Sequence, residues 1–295
     1  MTTEQRTILV TGVNGQVGFE LARSLQGLGN IAALSRQQFD LANFDQIRSV
    51  IRELKPALIV NPAAYTAVDL AEKECDDAMR INGEAPGIIA EEAKKLGAPM
   101  LHFSTDYVFD GTKPAPYVEL DETNPQNVYG ASKLAGERAI AEVGGASLVF
   151  RTSWVYGGRG KNFLLTMLRL AADRPVLRIV GDQFGAPTWS KTIAALVAHI
   201  VAQGHAAGTE WWASKSGVYH LTAGGSTSWA GFAQAIFDMA ELEKKPSVES
   251  IPASEYPVPA KRPSNSRMSC EKLAASFGVQ VPQWDDALRL CIGEM

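Results

Sequence analysis

The chain has 295 residues, 46% hydrophobic and 20% charged, with a net charge of −4. That length makes one large domain or two modest ones with a sizeable core, and the acidic balance excludes a protein that works by clustering Lys and Arg against nucleic acid or an anionic membrane. No apolar run approaches the ~20 residues of a membrane span, the run Ile8, Leu9 and Val10 is too short for a signal-peptide core, and three cysteines without a CxxC form no disulfide framework, so a reducing, cytoplasmic setting is expected.

In chain order, residues 7–10 read as a short strand, followed by a glycine-rich turn and a helix over 16–28. Residues 31–34 read as a second strand and 43–54 as a helix, with Phe44, Ile47, Val50, Ile51 and Leu54 at near-helical spacing. A third strand is predicted at 58–60, then a long helical stretch over 69–96 with a break near Pro86. A fourth strand at 100–103, a helix at 128–142 and a strand at 147–150 complete the first half. Strands alternating with helices of this length imply right-handed crossovers and a parallel sheet covered on both faces. The fold class is therefore α/β, a Rossmann-type doubly wound sheet.

After residue 151 the rhythm loosens. Helices are predicted over 163–172, 190–201, 228–240 and 284–292, with a surface loop at 203–217 and no long regular element in the proline-rich stretch 251–267. The expected division is a dinucleotide-binding domain over 1–152. A smaller substrate-binding lobe follows over 153–295, with parts of it returning to the first core.

Gly12, Gly15 and Gly18 form G-x-x-G-x-x-G between the first strand and the first helix. Glycines let the backbone turn tightly and approach a pyrophosphate, whose charge the helix N-terminus then holds. A carboxylate at the end of the second strand would favour NAD through the ribose 2′-hydroxyl. That strand instead ends Leu34-Ser35-Arg36, and a guanidinium suits a 2′-phosphate. NADPH is the expected cofactor, with NADH still possible. Asp40 and Leu41 follow closely and are expected on the adenine side.

Tyr129 and Lys133 stand four apart, so a helix puts them on one face. A nearby ammonium favours the phenolate and lowers the phenol pKa, which tunes a general acid for carbonyl reduction. Of the seven tyrosines only this one has a lysine four residues on. Ser104, Thr105, Asp106 and Tyr107 lie just past the fourth strand, where ligands bind in open α/β sheets. A hydroxyl there can hydrogen-bond a reacting carbonyl oxygen.

The combination resembles the extended short-chain dehydrogenase/reductases and, within them, the dTDP-4-dehydrorhamnose reductase family. The similarity runs nearly end to end. It is carried by GVNGQVG (12–18), NPAAYTAVDLAE (61–72), FSTDYVFDG (103–111), YGASKLAGE (129–137), RTSWVYG (151–157), NF (162–163), DQFGAPT (182–188) and RPSNSRM (262–268). The resemblance implies that Gly15, Gln16 and Val17 lie along the cofactor pyrophosphate and that Ala63, Ala64 and Tyr65 lie beside the cofactor. Tyr129 is then the proton donor, and Lys133 binds the nicotinamide ribose and tunes Tyr129. Thr105 would bond the sugar oxygen, with Asp106 in the pocket, Val68 and Asp69 facing the sugar and Trp154 packed against it. Asp69 stands where the family more often has Glu.

The implied reaction reduces the 4-keto group of dTDP-4-dehydro-β-L-rhamnose to dTDP-β-L-rhamnose, a precursor of surface polysaccharides. Two other readings stay open: a reductase of another dTDP-4-keto-6-deoxyhexose, and a non-catalytic cofactor-binding subunit like the regulatory β subunit of methionine adenosyltransferase. The superfamily's dehydratases use an Asp-Glu pair where this chain has Asp106-Tyr107. Some family members dimerise around a magnesium ion held by glutamates. Glu20 and Glu294 match two such positions, but the third is Lys191, a cation. The four histidines show no ligand spacing either. No metal site is expected, and the assembly expected is a monomer or a metal-independent homodimer.

Overall fold

The structure, a computed structural model, describes residues 6–295. Residues 1–5 of the expected first domain lie outside the described residues. The first half runs β1 (Thr7–Val10), α1 (Gln16–Ser24), β2 (Asn30–Ala33), α2 (Phe44–Leu54), β3 (Leu58–Asn61), α3 (Val68–Ala71), α4 (Cys75–Met79), α5 (Ala85–Leu96), β4 (Met100–Thr105), α6 (Val128–Val143) and β5 (Ser147–Thr152). The second half runs β6 (Val155–Tyr156), α7 (Phe163–Ala171), β7 (Val176–Val180), β8 (Phe184–Gly185), β9 (Thr188–Trp189), α8 (Ser190–Ala207), α9 (Thr209–Ser214), β10 (Gly217–His220), β11 (Thr227–Ser228), α10 (Trp229–Met239), β12 (Ser247–Ile251), α11 (Glu271–Phe277) and α12 (Trp284–Gly293).

Six strands form the main sheet in the order β10-β5-β4-β3-β1-β2, and every pairing in it is parallel. The inner strands β3 and β4 are buried throughout, which is why both begin as apolar runs. Four helices begin where the sequence supplies a cap. Asn43, Asn127, Asn162 and Ser228 each accept a backbone N–H of the first turn of α2, α6, α7 and α10.

Three expectations are corrected. Pro86 does not break its helix. The chain widens into a π turn over Arg80–Glu84 and continues as α5, with Pro86 in its first turn, where a missing N–H costs least. The real interruption lies between α3 and α4. Residues 203–217 are not a surface loop: α8 runs on to Ala207, α9 follows, and Trp212 is buried. Gly217 then opens β10, a sixth sheet strand that was too short and polar to stand out. The helix over 16–28 ends at Ser24, and a 3-10 turn at Gln26–Leu28 finishes it.

Two cores result. One joins Ile8, Val10, Leu21, Leu101 and Phe150 of the sheet half to Ile193, Val197, Trp212, Tyr219 and Phe277 of the second half. A separate cluster of Tyr156, Leu164, Trp189, Phe232, Phe237 and Leu288 holds the lobe built on α7, α10 and α12. The C-terminal ends of β1, β3, β4 and β5 open towards that lobe, and the candidate residues gather there.

Candidate active site

The glycine turn is built for close approach. Gly12 has φ +58°, and a Cβ there would lie 2.9 Å from Ala63 Cα. A Cβ on Gly18 would run into the Gly12 carbonyl oxygen. The first turn of α1, which holds Gln16, Val17 and Gly18, begins at Gly15 without any side-chain cap, unlike the capped helices named above. Its N–H groups and the positive end of the helix are left for an anion, so the turn fits a dinucleotide pyrophosphate. Gln16 accepts at 2.9 Å from Asn162, which reaches over from the second half.

Arg36 lies beyond β2 with its side chain 79% exposed, 3.6 Å from Asp40. Its guanidinium is free to meet a phosphate. Leu41 is buried in the core with Phe39 and Ile47, so its side chain does not face a ligand. The backbone of Tyr65, after Ala63 and Ala64, is held from both sides by Asn82, which accepts from Tyr65 N at 2.8 Å and donates to Tyr65 O at 2.9 Å. Asn82 sits inside the π turn and also donates to Ser132 on α6. The Tyr65 hydroxyl turns away to Glu74 at 2.6 Å.

Thr105, Asp106 and Tyr129 come together. Thr105 ends β4 and Tyr129 stands in the first turn of α6, where Gly130 permits a backbone approach to Tyr107. Thr105 Oγ1 donates to Asp106 Oδ1 at 3.0 Å and accepts from Tyr107 N at 3.2 Å, and its hydroxyl opposes the rise of the Tyr129 phenol. Tyr107 packs edge-on against Tyr129 with ring centroids 5.7 Å apart. Burial pushes the Tyr129 phenol up to about 12, and the Asp106 carboxylate adds to that rise. Burial likewise lifts the Asp106 carboxyl to about 6, against the lowering effect of its hydrogen bonds.

Lys133 departs from its expected tuning role. Its Nζ meets His102 Nε2 at 3.1 Å, and burial lowers its pKa to about 8 while Glu137 on the same helix opposes the fall. Here the phenol pKa is raised, not lowered. Glu137 is itself paired in a fork with Arg151, at 2.9 and 2.6 Å.

On the lobe side, Val68 and Asp69 open the short helix α3. Asp69 accepts from Arg262 at 2.8 Å and from Ala260 N at 3.3 Å. Trp154 takes the left-handed conformation, φ +49°, a strained choice for a bulky residue that marks functional sites. Its ring stacks on Trp229 at 3.5 Å between centroids, so one face is already covered. Lys191 lies away from the site, paired with Glu294 at 2.6 Å.

The sequence reading missed His102, Asn61 and Thr11 behind Lys133, Asn82 in the π turn, and Arg262 opposite Asp69. A signal existed for two of them. Asn61 and His102 are polar residues inside otherwise apolar buried strands, a placement that demands partners.

The family model described as RmlD substrate binding domain matches residues 6–295. The chain is 51% identical to a dTDP-4-dehydrorhamnose reductase from Burkholderia thailandensis, over 98% of both chains. It is 43% identical to one from Salmonella typhimurium, over 98% of this chain and 97% of that one. Among solved structures, a dTDP-4-dehydrorhamnose reductase from Bacillus anthracis in complex with NADP superposes with a TM-score of 0.91 at 35% identity, over 99% of this chain and 100% of that one.

Proposed function

The chain belongs to the dTDP-4-dehydrorhamnose reductase family, and from that premise we propose that it reduces the 4-keto group of dTDP-4-dehydro-β-L-rhamnose to dTDP-β-L-rhamnose with NADPH. The observation that carries this reading is the junction of Thr105, Asp106 and Tyr129 at the end of β4, beside an uncapped glycine turn.

NADPH supplies the hydride when bound. Gly12, Gly15, Gln16, Val17 and Gly18 hold its pyrophosphate, Arg36 its 2′-phosphate, Asp40 and the Leu41 backbone its adenine side, and Ala63, Ala64 and Tyr65 its flank. Tyr129 and Lys133 face the nicotinamide ribose. At a pKa of about 12 the phenol keeps its proton throughout the working range. It can therefore give that proton to the oxygen of the reduced carbonyl. Thr105 aligns the phenol and shares the substrate oxygen. Asp106, Val68, Asp69 and Trp154 line the sugar side. Residues 1–152 serve the dinucleotide and 153–295 supply the substrate lobe, with α8, β10 and α11 returning to the first core. The enzyme works in the cytoplasm as a monomer or a metal-independent dimer.

Mixing the protein with the 4-keto sugar nucleotide and NADPH tests the reading. Loss of cofactor absorbance with formation of the 6-deoxy-L-sugar nucleotide is expected. A protein that binds NADPH without turnover is a binding subunit instead.

A further inference from the structure

Beneath the site, four side chains form a buried hydrogen-bonded chain that the reduction itself does not use beyond Lys133. Ala63 N donates to Thr11 Oγ1 at 3.3 Å, and Thr11 Oγ1 donates to Asn61 Oδ1 at 2.6 Å. Asn61 Nδ2 meets His102 Nδ1 at 3.2 Å, and His102 Nε2 meets Lys133 Nζ at 3.1 Å. Thr11, Asn61, His102 and Lys133 are each no more than 1% exposed, so bulk water offers no substitute partners.

The direction of the chain is set at its far end. Thr11 Oγ1 already accepts from Ala63 N, and Asn61 Oδ1 is the one acceptor for its proton among the described residues. This holds the Asn61 amide with Nδ2 towards His102. An amide nitrogen only donates, so His102 Nδ1 accepts, and the neutral ring carries its proton on Nε2. That N–H points at Lys133 Nζ. It finds a lone pair there only if the lysine is an amine, because an ammonium would set donor against donor. When Lys133 takes up its third proton, the ring tautomer and the amide must both reverse, and the Thr11 hydroxyl loses its acceptor.

We propose that His102 is a positioning residue that couples the proton on Lys133, through Asn61 and Thr11, to the Ala63 backbone beside the glycine turn. The inference rests on the reductase reading, in which Lys133 serves the cofactor ribose. Other charged groups on the elements around α6 are already engaged. Glu137, one turn along α6, is held by Arg151 of β5. Asp106 is bonded to Thr105 and lies beside Tyr107 and Tyr129. Asp69 and Glu72 are taken by Arg262 and by Val128 N. Burial keeps His102 neutral, far below its ordinary pKa, and brings Lys133 down to about 8, so the lysine is the member that titrates.

Thr11→Val keeps the shape and removes a hydroxyl three links away from Lys133. The amide is then free to turn, the amine loses its advantage, and the Lys133 titration moves to higher pH. The expected shift is about 0.5–1 pH unit, the size of one net hydrogen bond. It is read as the basic limb of turnover and, separately, as the Nζ titration by NMR in protein carrying labelled lysine. On a His102→Phe background the Thr11→Val shift disappears, because the link is cut. Histidine 15N NMR of the unaltered protein needs no variant: the His102 proton is expected on Nε2 at pH above the Lys133 titration and on Nδ1 below it. A His102 tautomer that stays the same as pH crosses the Lys133 titration, or an unchanged Lys133 titration in folded Thr11→Val protein, overturns the coupling. Absence of turnover by the unaltered protein overturns the reductase reading alone, since both NMR readings stand without it.

Discussion

On the sheet side of the site, groups are placed by the ends of consecutive strands. The glycine turn follows β1, Ala63 follows β3, Thr105 ends β4, and Tyr129 opens α6 behind an Asn127 cap. On the lobe side, contacts reach across the chain. Asp69 and Arg262 are 193 positions apart, and Trp154 is set by a left-handed backbone and by Trp229 from α10. A wall built from strand ends is fixed by the fold itself and suits chemistry common to many substrates. A wall built from distant pairs can change without disturbing the sheet, which suits recognition of one sugar. The difference makes a kinetic distinction: damage on the sheet side falls on kcat, and damage on the lobe side falls on the KM for the sugar.

The largest effect is expected from Tyr129→Phe. It keeps the ring against Tyr107 and removes the proton. Turnover should fall at least ~100-fold, the lower range for a general acid, with NADPH affinity unchanged by fluorescence titration. Near-normal turnover would remove Tyr129 from the chemistry and break the contrast on its stronger side.

Arg262→Met tests the other wall. It leaves Asp69 without its cationic partner, although the carboxylate keeps Ala260 N. A charge-assisted hydrogen bond of ~1.5–3 kcal/mol corresponds to a rise of about 30-fold in the KM for the sugar, with kcat within about threefold of normal. A loss confined to kcat would show that the two walls act as one.

Asp106 stands where the walls meet, and its carboxyl carries a pH signature. The folded value is about 6 against an ordinary 3.8. Between those values the folded chain holds a proton that the unfolded chain has released. Stability is therefore fully present below the lower value and is lost as pH rises through 6. The loss is about 3 kcal/mol over the whole range and about 2 kcal/mol between pH 4.5 and 7.5. Denaturant unfolding at pH 4.5 and 7.5 should show it, and Asp106→Asn should flatten it. An equal pH dependence in the variant would place the cause elsewhere.

The same contrast explains what could be read from the sequence. The first half is legible because most of its strands are short apolar runs and two of its helices announce their caps, Asn43 and Asn127. Tyr129, Lys133 and Thr105 could be named since strand ends and helical spacing place them. Arg262 could not, because nothing local in a proline-rich stretch says that it reaches α3. Gly217–His220 escaped for a related reason: it pairs with β5 only after α8 and α9 have carried the chain back to the sheet. Helical spacing puts Lys133 on the Tyr129 face, but its contact with His102 depends on β4 and α6 packing side by side. No spacing within α6 reports that.

Arg36→Ala is expected to act on neither wall but at the far end of the cofactor. The side chain is mostly exposed and its partner Asp40 lies at 3.6 Å, so solvent screens what it contributes. NADPH should weaken by about tenfold, one charge-assisted hydrogen bond discounted for that screening, while NADH changes little. Equal weakening of both cofactors would make Arg36 an ordinary surface residue.

The smallest effect is expected furthest from both walls. Lys191 donates to both Glu294 carboxylate oxygens, at 2.6 and 2.8 Å, and the two side chains are 46% and 51% exposed. An exposed pair of this kind contributes ~0–1 kcal/mol, so Lys191→Ala should move the unfolding midpoint only slightly. The pair also bears on assembly. Lysine has three donors and no lone pair for a metal, and its charge occupies the carboxylate that a divalent ion would need. With Tyr129 as the proposed proton donor to the developing alkoxide, hydride transfer would need no metal as Lewis acid. EDTA should therefore change neither activity nor the molecular mass measured by light scattering, and added magnesium should change neither. Lys191→Glu sharpens the test, because it places a second carboxylate beside Glu294. If that variant alone dimerises with magnesium, the lysine is what keeps the metal out. If the unaltered protein dimerises with magnesium, carboxylates other than the one held by Lys191 bind it, and the metal-independent reading fails.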